Sequence, residues 1–118
     1  MTQKELEKRL IQFAVDIMKL CDNLPNNRSG NTIGNQLIRS GTSPALNYGE
    51  AQGAESEKDF IHKLQIVLKE LRESYISLQI IDKSTINKES EILKLLLNEC
   101  NELISIFVAT IKKIKNKN

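Results

Sequence analysis

The chain has 118 residues, of which 40% are hydrophobic and 27% charged, and its formal net charge is +2. This length suits one domain with one core, predicted over residues 1–118, and so small a charge does not by itself argue for a nucleic-acid partner. No segment approaches the roughly 18 consecutive apolar residues of a membrane span, and the charged segment MTQKELEKRL lacks the apolar run of a signal peptide, so we expect a cytoplasmic protein with no membrane partner.

Apolar residues recur at helical spacing from the start of the chain. Steps of three and four predict a first helix over residues 3–24. Its apolar stripe consists of Leu6, Leu10, Phe13, Ala14, Ile17, Cys21 and Leu24. The polar segment that follows contains a proline and a glycine, which predicts a loop over residues 22–31.

The second helix is predicted to end near Gln52 and contains Pro44. Proline has no N–H to donate, and its ring crowds the carbonyl of the residue four positions earlier. We therefore predict one helix that is kinked at Pro44, with Ser43 as a residue that could cap its continuation.

A polar stripe lies beside the apolar one on this helix. Arg39, Ser43, Asn47 and Glu50 follow one another at steps of four, four and three. Arg39 and Glu50 are about 16 Å apart along the axis, so each needs a partner from another helix or another subunit. A solvated helix face is the alternative. We predict that this stripe forms part of an oligomer or partner interface.

Ser56 opens the third helix, with Asp59 three residues later in a shortened capping box. Its apolar stripe consists of Phe60, Leu64, Val67, Leu68, Leu71, Tyr75 and Leu78. A turn over residues 82–87 closes it, and Asn87 or Ser90 caps the fourth helix. Four helices with short connections predict an all-α, antiparallel, up-and-down four-helix bundle.

The fourth helix carries an unusually wide apolar arc. Leu95 and Ile106 lie on one flank, whereas Leu97, Ile104 and Val108 lie on the other, which gives an arc of about 220°. Such a helix is either packed deep within its own bundle or covered by a second subunit. We predict the second arrangement, with an interface at Leu95, Leu97, Ile106 and Val108.

Two Glu-x-x-Glu pairs, Glu70/Glu73 and Glu99/Glu102, resemble the magnesium ligands of all-α nucleotide pyrophosphohydrolases. Their helical positions point away from the apolar stripes, so carboxylates aimed at solvent from both helices should not converge on one metal. His62 has no second ligand at metal spacing. We predict no enzyme activity, catalytic residue, metal, cofactor or small-molecule substrate, and we read Cys21 and Cys100 as buried free thiols.

Lysines cluster at the end of the last helix, at Lys112, Lys113, Lys115 and Lys117. They are weak candidates for nucleic-acid contacts. The alternative is that they complement the negative end of the helix dipole in a frayed tail.

The middle of the chain carries a family resemblance. The segments RSGTS at residues 39–43 and QGAES and KDFIHKL at residues 52–64, with Asn47 and Glu50-Ala51, resemble the four-helix bundle proteins encoded in intervening sequences of bacterial 23S ribosomal RNA genes. Pro44 and Leu46 depart from the family's usual pattern. The resemblance implies an up-and-down bundle and rings of five subunits. A group described as related, the accessory variability proteins of diversity-generating retroelements, binds a reverse transcriptase and nucleic acid.

The leading hypothesis from these observations is a non-enzymatic, homopentameric bundle that associates with RNA and is linked to ribosomal RNA intervening sequences. The alternative is a protein-interaction scaffold that is a partner of a reverse transcriptase. The net charge summed over five subunits would discriminate between the two, since a ring gathers weak basic patches into one surface.

Overall fold

The computed structural model describes residues 1–84, 86 and 90–117, and it contains four helices: α1 (Gln3–Asp22), α2 (Arg28–Ala51), α3 (Glu57–Lys83) and α4 (Glu91–Asn116). Each helix begins at a side-chain oxygen that accepts the backbone N–H three residues later. The four capping residues are Thr2, Asn27, Ser56 and Ser90. The predicted cap at Ser56 is confirmed and Ser90 caps α4, whereas Asn87 lies outside the described residues.

The helices pack in chain order around one core. Helix α1 packs on α2, α2 on α3 and α3 on α4, and α4 closes the arrangement against α1. The particle measures 48 × 21 × 20 Å, which matches helices of about 40 Å lying side by side. The predicted all-α, up-and-down four-helix bundle is confirmed.

The predicted apolar stripes form the core. Leu20 and Ile81 lie outside those stripes but also belong to the core. The largest fully buried side chains are Leu10, Phe13, Ile17, Leu20, Leu37, Leu64, Leu71, Leu78, Ile81, Leu96, Leu103 and Phe107. The rings of Tyr48 and Phe107 meet edge to face across the bundle, with centroids 5.7 Å apart. The buried hydroxyls of Ser40 and Ser74 lie 3.0 Å apart, so a hydrogen bond joins α2 to α3 inside the core.

Helix α2 starts earlier than predicted. The loop predicted over residues 22–31 extends only to Asn27, whose side chain caps the helix by accepting the Gly30 N–H. A β-carbon at Gly30 would lie 2.0 Å from the Pro25 carbonyl oxygen. Glycine is therefore required by the close approach of the preceding loop. The prediction was wrong because it took Gly30 as a sign of irregular backbone. Helix α1 also ends at Asp22 rather than at residue 24.

Helix α2 continues through Pro44 as one element, so the predicted single helix is confirmed, while the kink stays a prediction. Ser43 does not cap a second segment. Its hydroxyl oxygen accepts a hydrogen bond of 2.8 Å from the Asn47 side-chain amide instead. Close contact between α1 and α2 depends on Gly41, where a β-carbon would lie 2.8 Å from both γ-carbons of Ile17.

Candidate interaction site

The polar stripe of α2 finds partners within the chain. Arg39 Nη1 lies 3.2 Å from Glu70 Oε2, and Arg39 Nη2 lies 2.9 Å from Glu73 Oε2. The sequence predicted that Arg39 needs a partner from another helix or another subunit. The partner comes from another helix, α3, of the same chain. Glu50 lies 3.9 Å from the Lys63 ammonium, while Ser43 and Asn47 bond to each other. The role of this stripe in an interface stays a prediction.

The position of Glu70 corrects the expectation that the glutamate pairs point into solvent. Glu70 is only 8% exposed, because helix α2 covers the flank of α3 on which it lies. Its backbone carbonyl accepts the Ser74 hydroxyl, and its carboxylate faces Arg39. The sequence gives the direction of a side chain around its own helix axis. It does not show whether a neighbouring helix packs over the side chain in that direction.

Arg39 with Glu70 and Glu73 forms a clamp, meaning one arginine that pairs with both carboxylates of a Glu-x-x-Glu motif. A second clamp joins α1 to α4. Arg9 Nε and Nη2 donate to the Glu99 carboxylate at 3.0 and 2.6 Å, and Arg9 Nη2 also lies 3.1 Å from Glu102. The hydrogen bond with Glu99 raises the pKa of Arg9 above its already high usual value. Glu99 is half-buried and Glu102 is exposed. Each Glu-x-x-Glu pair thus holds one arginine, and the two clamps lie on opposite sides of the bundle.

Both Glu-x-x-Glu pairs have arginine partners. In each pair both carboxylates lie 2.6 to 3.2 Å from one guanidinium. Within residues 1–84, 86 and 90–117 there is no group of three or more histidine, cysteine, aspartate or glutamate side chains suited to a metal ion. Both cysteines are free; Cys100 is buried as predicted, whereas Cys21 is only partly buried. Burial raises the pKa of the Cys100 thiol to about 12 and that of Cys21 to about 11, which disfavours the thiolate at neutral pH.

The wide apolar arc of α4 is partly covered by its own bundle. Leu97 and Ile106, predicted as interface residues, pack in part against the core of the same chain, as does Ile104. Leu95 is 60% exposed and Val108 is 39% exposed. The flanks of α4 are therefore covered to a large extent by α1 and α3, and only these two of the four predicted residues remain open.

Exposed apolar side chains concentrate elsewhere, on α1, α2 and α3. These residues are Ile11, Val15, Met18, Ile38, Leu46, Ile76 and Ile80. On α1 the spacing of four and three between Ile11, Val15 and Met18 forms a second stripe that faces away from the core. The sequence analysis missed this stripe because it followed only the apolar residues that build the core.

The four C-terminal lysines are exposed at one end of the bundle, and none of them belongs to an ion pair found among the described residues. Beside them lies a groove of about 400 Å³ between α3 and α4. Lys58 and His62 from α3 line it together with Lys115. Glu57 lines the same groove, so the start of α3 adds charges of both signs beside the lysines of α4.

We expect Arg39→Ala to lower the thermal midpoint, because it leaves the buried carboxylate of Glu70 without its cation. Glu70→Gln in the Arg39→Ala background should restore part of the loss, since the uncompensated charge is then gone. Glu73→Ala is the matched control and should change the midpoint little, as this carboxylate is 41% exposed. Thermal melts followed by circular dichroism check all three variants, and equal losses in the first two would contradict the account.

These features define an antiparallel four-helix bundle whose main polar clusters tie neighbouring helices together. The model of the 23S rRNA-intervening sequence protein family matches residues 3–109, and the chain belongs to this family. The family assignment made from residues 39–64 is thereby confirmed. The match gives no support to the suggested relation with accessory variability proteins.

A solved structure agrees with this assignment. The crystal structure of a protein of unknown function from the S23 ribosomal protein family of Bacteroides thetaiotaomicron VPI-5482 is similar to this chain, with 31% sequence identity and a TM-score of 0.85. The similarity covers 95% of this chain and 99% of that one. A comparison with curated proteins finds no match. Among the described helices, none has the length and apolar character needed to span a bilayer.

Proposed function

We propose that this protein is a non-enzymatic bundle that assembles with copies of itself into a ring and associates with RNA. The observation that carries the RNA part is the basic end of the bundle. Lys112, Lys113, Lys115 and Lys117 are exposed there, and Lys58 adds one cation across the groove on α3, next to Glu57. The family is linked to ribosomal RNA intervening sequences, which supports RNA as the negatively charged partner of this end.

The chemistry of this end favours contacts to phosphates over contacts to bases. Lysine presents a compact charge that pairs with a phosphate without reading sequence. Single-strand binding by stacking needs exposed aromatic rings, but Phe13 and Phe107 are fully buried and Phe60 packs partly against the core. Binding should therefore be electrostatic and tolerant of sequence.

A ring strengthens such weak contacts. In a cyclic assembly every copy presents its lysine-rich end on the same side, so one RNA can contact several ends at once. A ring of five, the number implied by the family resemblance, would carry five times the single-chain charge of +2. Self-assembly thus turns a weakly basic subunit into a polyvalent basic surface.

We expect replacement of Lys112, Lys113, Lys115 and Lys117 by glutamine to weaken RNA binding evenly across sequences. If each lysine contacts one phosphate of a single strand, the slope of log K against log salt should fall by roughly 3. Fluorescence anisotropy with several labelled RNAs at a series of salt concentrations measures both effects.

The control removes two charges at the opposite end of the bundle, through Lys19→Gln and Lys94→Gln, and is compared with Lys112→Gln and Lys113→Gln alone. The Lys19 and Lys94 replacements should leave the salt slope nearly unchanged. Sequence-selective binding that survives loss of the four lysines and high salt would contradict the electrostatic mechanism. Absence of RNA binding by the wild-type protein would leave a protein-interaction scaffold, which the exposed apolar side chains of α1, α2 and α3 favour as the second candidate.

A further inference from the structure

Two separate faces of the bundle expose large apolar side chains. The α1/α2 face consists of Ile11, Val15 and Met18 on α1 with Ile38 and Leu46 on α2. The α2/α3 face consists of Ile76 and Ile80 on α3, which line a groove of about 380 Å³ together with Gln36, Arg39 and Glu73. Met18 is 50% exposed and Ile76 is 57% exposed. Clusters of exposed large apolar side chains are candidates for interaction surfaces.

Gly49 adds an independent sign of close approach on the α1/α2 face. Gly30 and Gly41 are needed within the subunit because a β-carbon would collide with Pro25 or Ile17. Gly49 has no such reason, since apart from its chain neighbours and the adjacent backbone of its own helix no atom lies within 4 Å of the position of its β-carbon. Glycine in a helix interior costs about 1 kcal/mol relative to alanine. The subunit alone therefore does not explain this residue, whereas a neighbouring molecule packed close to α2 would.

We propose that the α1/α2 face of one copy packs against the α2/α3 face of the next copy. This inference rests on the proposed self-assembly and names its surfaces. Because the two faces differ, the contact is head-to-tail, and such contacts build closed rings when the rotation between copies closes. Both faces share α2, so they lie on adjacent sides of the bundle at about 90° to each other. Repetition then closes after about four or five copies, with α2 toward the ring axis.

Apolar residues of the two faces lie at one height along the bundle. Ile17 packs against Gly41 and the Cys21 thiol reaches the Gly34 carbonyl, which places Met18 level with Ile38. The bond between Ser40 and Ser74 places Ile38 level with Ile76. Copies that stand side by side in a ring share the same height. Met18 and Ile38 of one copy therefore face Ile76 of the next.

Charges beyond the apolar patch are complementary at both ends. The outer stripe of α1 continues at steps of three and four from Lys8 through Ile11, Val15 and Met18 to Asp22. The outer stripe of α3 continues from Ile76 and Ile80 to Lys83, which lies within about one turn of the height of Asp22.

At the other end, counting from the contact between Ile17 and Gly41 places Lys8 at the height of Glu50. Glu50 lies on the α3 side of α2, beside Lys63. The head-to-tail contact thus brings Asp22 to Lys83 and Lys8 to Glu50 of neighbouring copies. This match of opposite charges favours a second copy of the chain as the occupant of both faces.

Two single variants test the contact, Met18→Glu and Ile76→Glu, with Leu95→Glu as the control. All three replace an exposed apolar residue, so circular dichroism should show unchanged helix content. Light scattering during gel filtration should show monomers for Met18→Glu and for Ile76→Glu, and the wild-type assembly for Leu95→Glu. An equimolar mixture of the two interface variants should form dimers and nothing larger, since one contact between intact faces remains possible.

The other outcomes show whether the self-assembly or only the proposed contact is wrong. A wild-type protein that is monomeric at every concentration overturns the proposed self-assembly together with this inference. An oligomeric wild type with loss of assembly only in Met18→Glu indicates a face-to-face dimer and overturns the head-to-tail contact alone. Dissociation by Leu95→Glu, with the two other variants still assembled, assigns the interface to α4 and also overturns it.

Discussion

Phe107→Ala is expected to lower the free energy of unfolding by about 3–5 kcal/mol, the usual loss for truncating a fully buried phenylalanine. Phe107 is 0% exposed and meets Tyr48 edge to face, so the change leaves a cavity and removes a contact between α4 and α2. These two helices lie diagonally across the bundle, and the ring pair is a direct link between them. Urea denaturation followed by circular dichroism measures the change.

Val108→Ala is the matched control for this variant. It removes apolar atoms from the next residue of the same helix, where the side chain is 39% exposed. The expected loss is below about 1 kcal/mol, because little apolar area leaves the core. If Phe107→Ala costs no more than Val108→Ala, the placement of Phe107 at the centre of the core is wrong.

Gly41→Ala is expected to destabilise the protein by about 1–3 kcal/mol, although alanine is the better helix former. The added methyl group would meet both γ-carbons of Ile17 at 2.8 Å. Ile17 is fully buried and cannot turn away without disturbing the core, so α1 and α2 must separate. Urea denaturation measures the loss, and Ile17→Ala, which removes both γ-carbons, should cost less in the Gly41→Ala background than in the wild-type protein.

Gly49→Ala is the matched change on the same helix and should have the opposite sign. Its β-carbon would meet nothing within 4 Å beyond its chain neighbours and the adjacent backbone of its own helix, so the gain in helix propensity of up to about 1 kcal/mol should appear in full in the isolated subunit. Measurement in the Met18→Glu background keeps the subunit monomeric if the proposed contact is right. Two variants with the same sign would contradict the steric account of Gly41.

The fold could be predicted from the sequence because its signals are local. Steps of three and four in the apolar residues fix helix number and order, and Ser56 and Ser90 cap helices by bonding to N–H groups three residues away. The start of α2 could not be predicted in the same way. Gly30 is glycine because of the Pro25 carbonyl, a contact that exists only in the folded loop.

The candidate site was predicted less well because it depends on which helices are neighbours. The spacing of Arg39 and Glu50 shows that they need partners, but Glu70 becomes the partner of Arg39 only after α2 has packed on α3. The same packing buries Glu70. In contrast, the outward stripe of Ile11, Val15 and Met18 is visible in the sequence, and a search for apolar residues opposite the core stripe would have found it.

The number of helices has a practical consequence. Since an even number of antiparallel helices returns the chain to its starting end, residue 1 and residue 117 emerge at the same end of the particle, and a shallow groove lined by Met1, Thr2, Ile106 and Thr110 joins the two regions. That end is also the one that carries the lysines. A purification tag or fluorescent protein fused at either terminus would therefore stand beside the basic surface, so tagged and untagged protein differ most at the surface proposed to contact RNA.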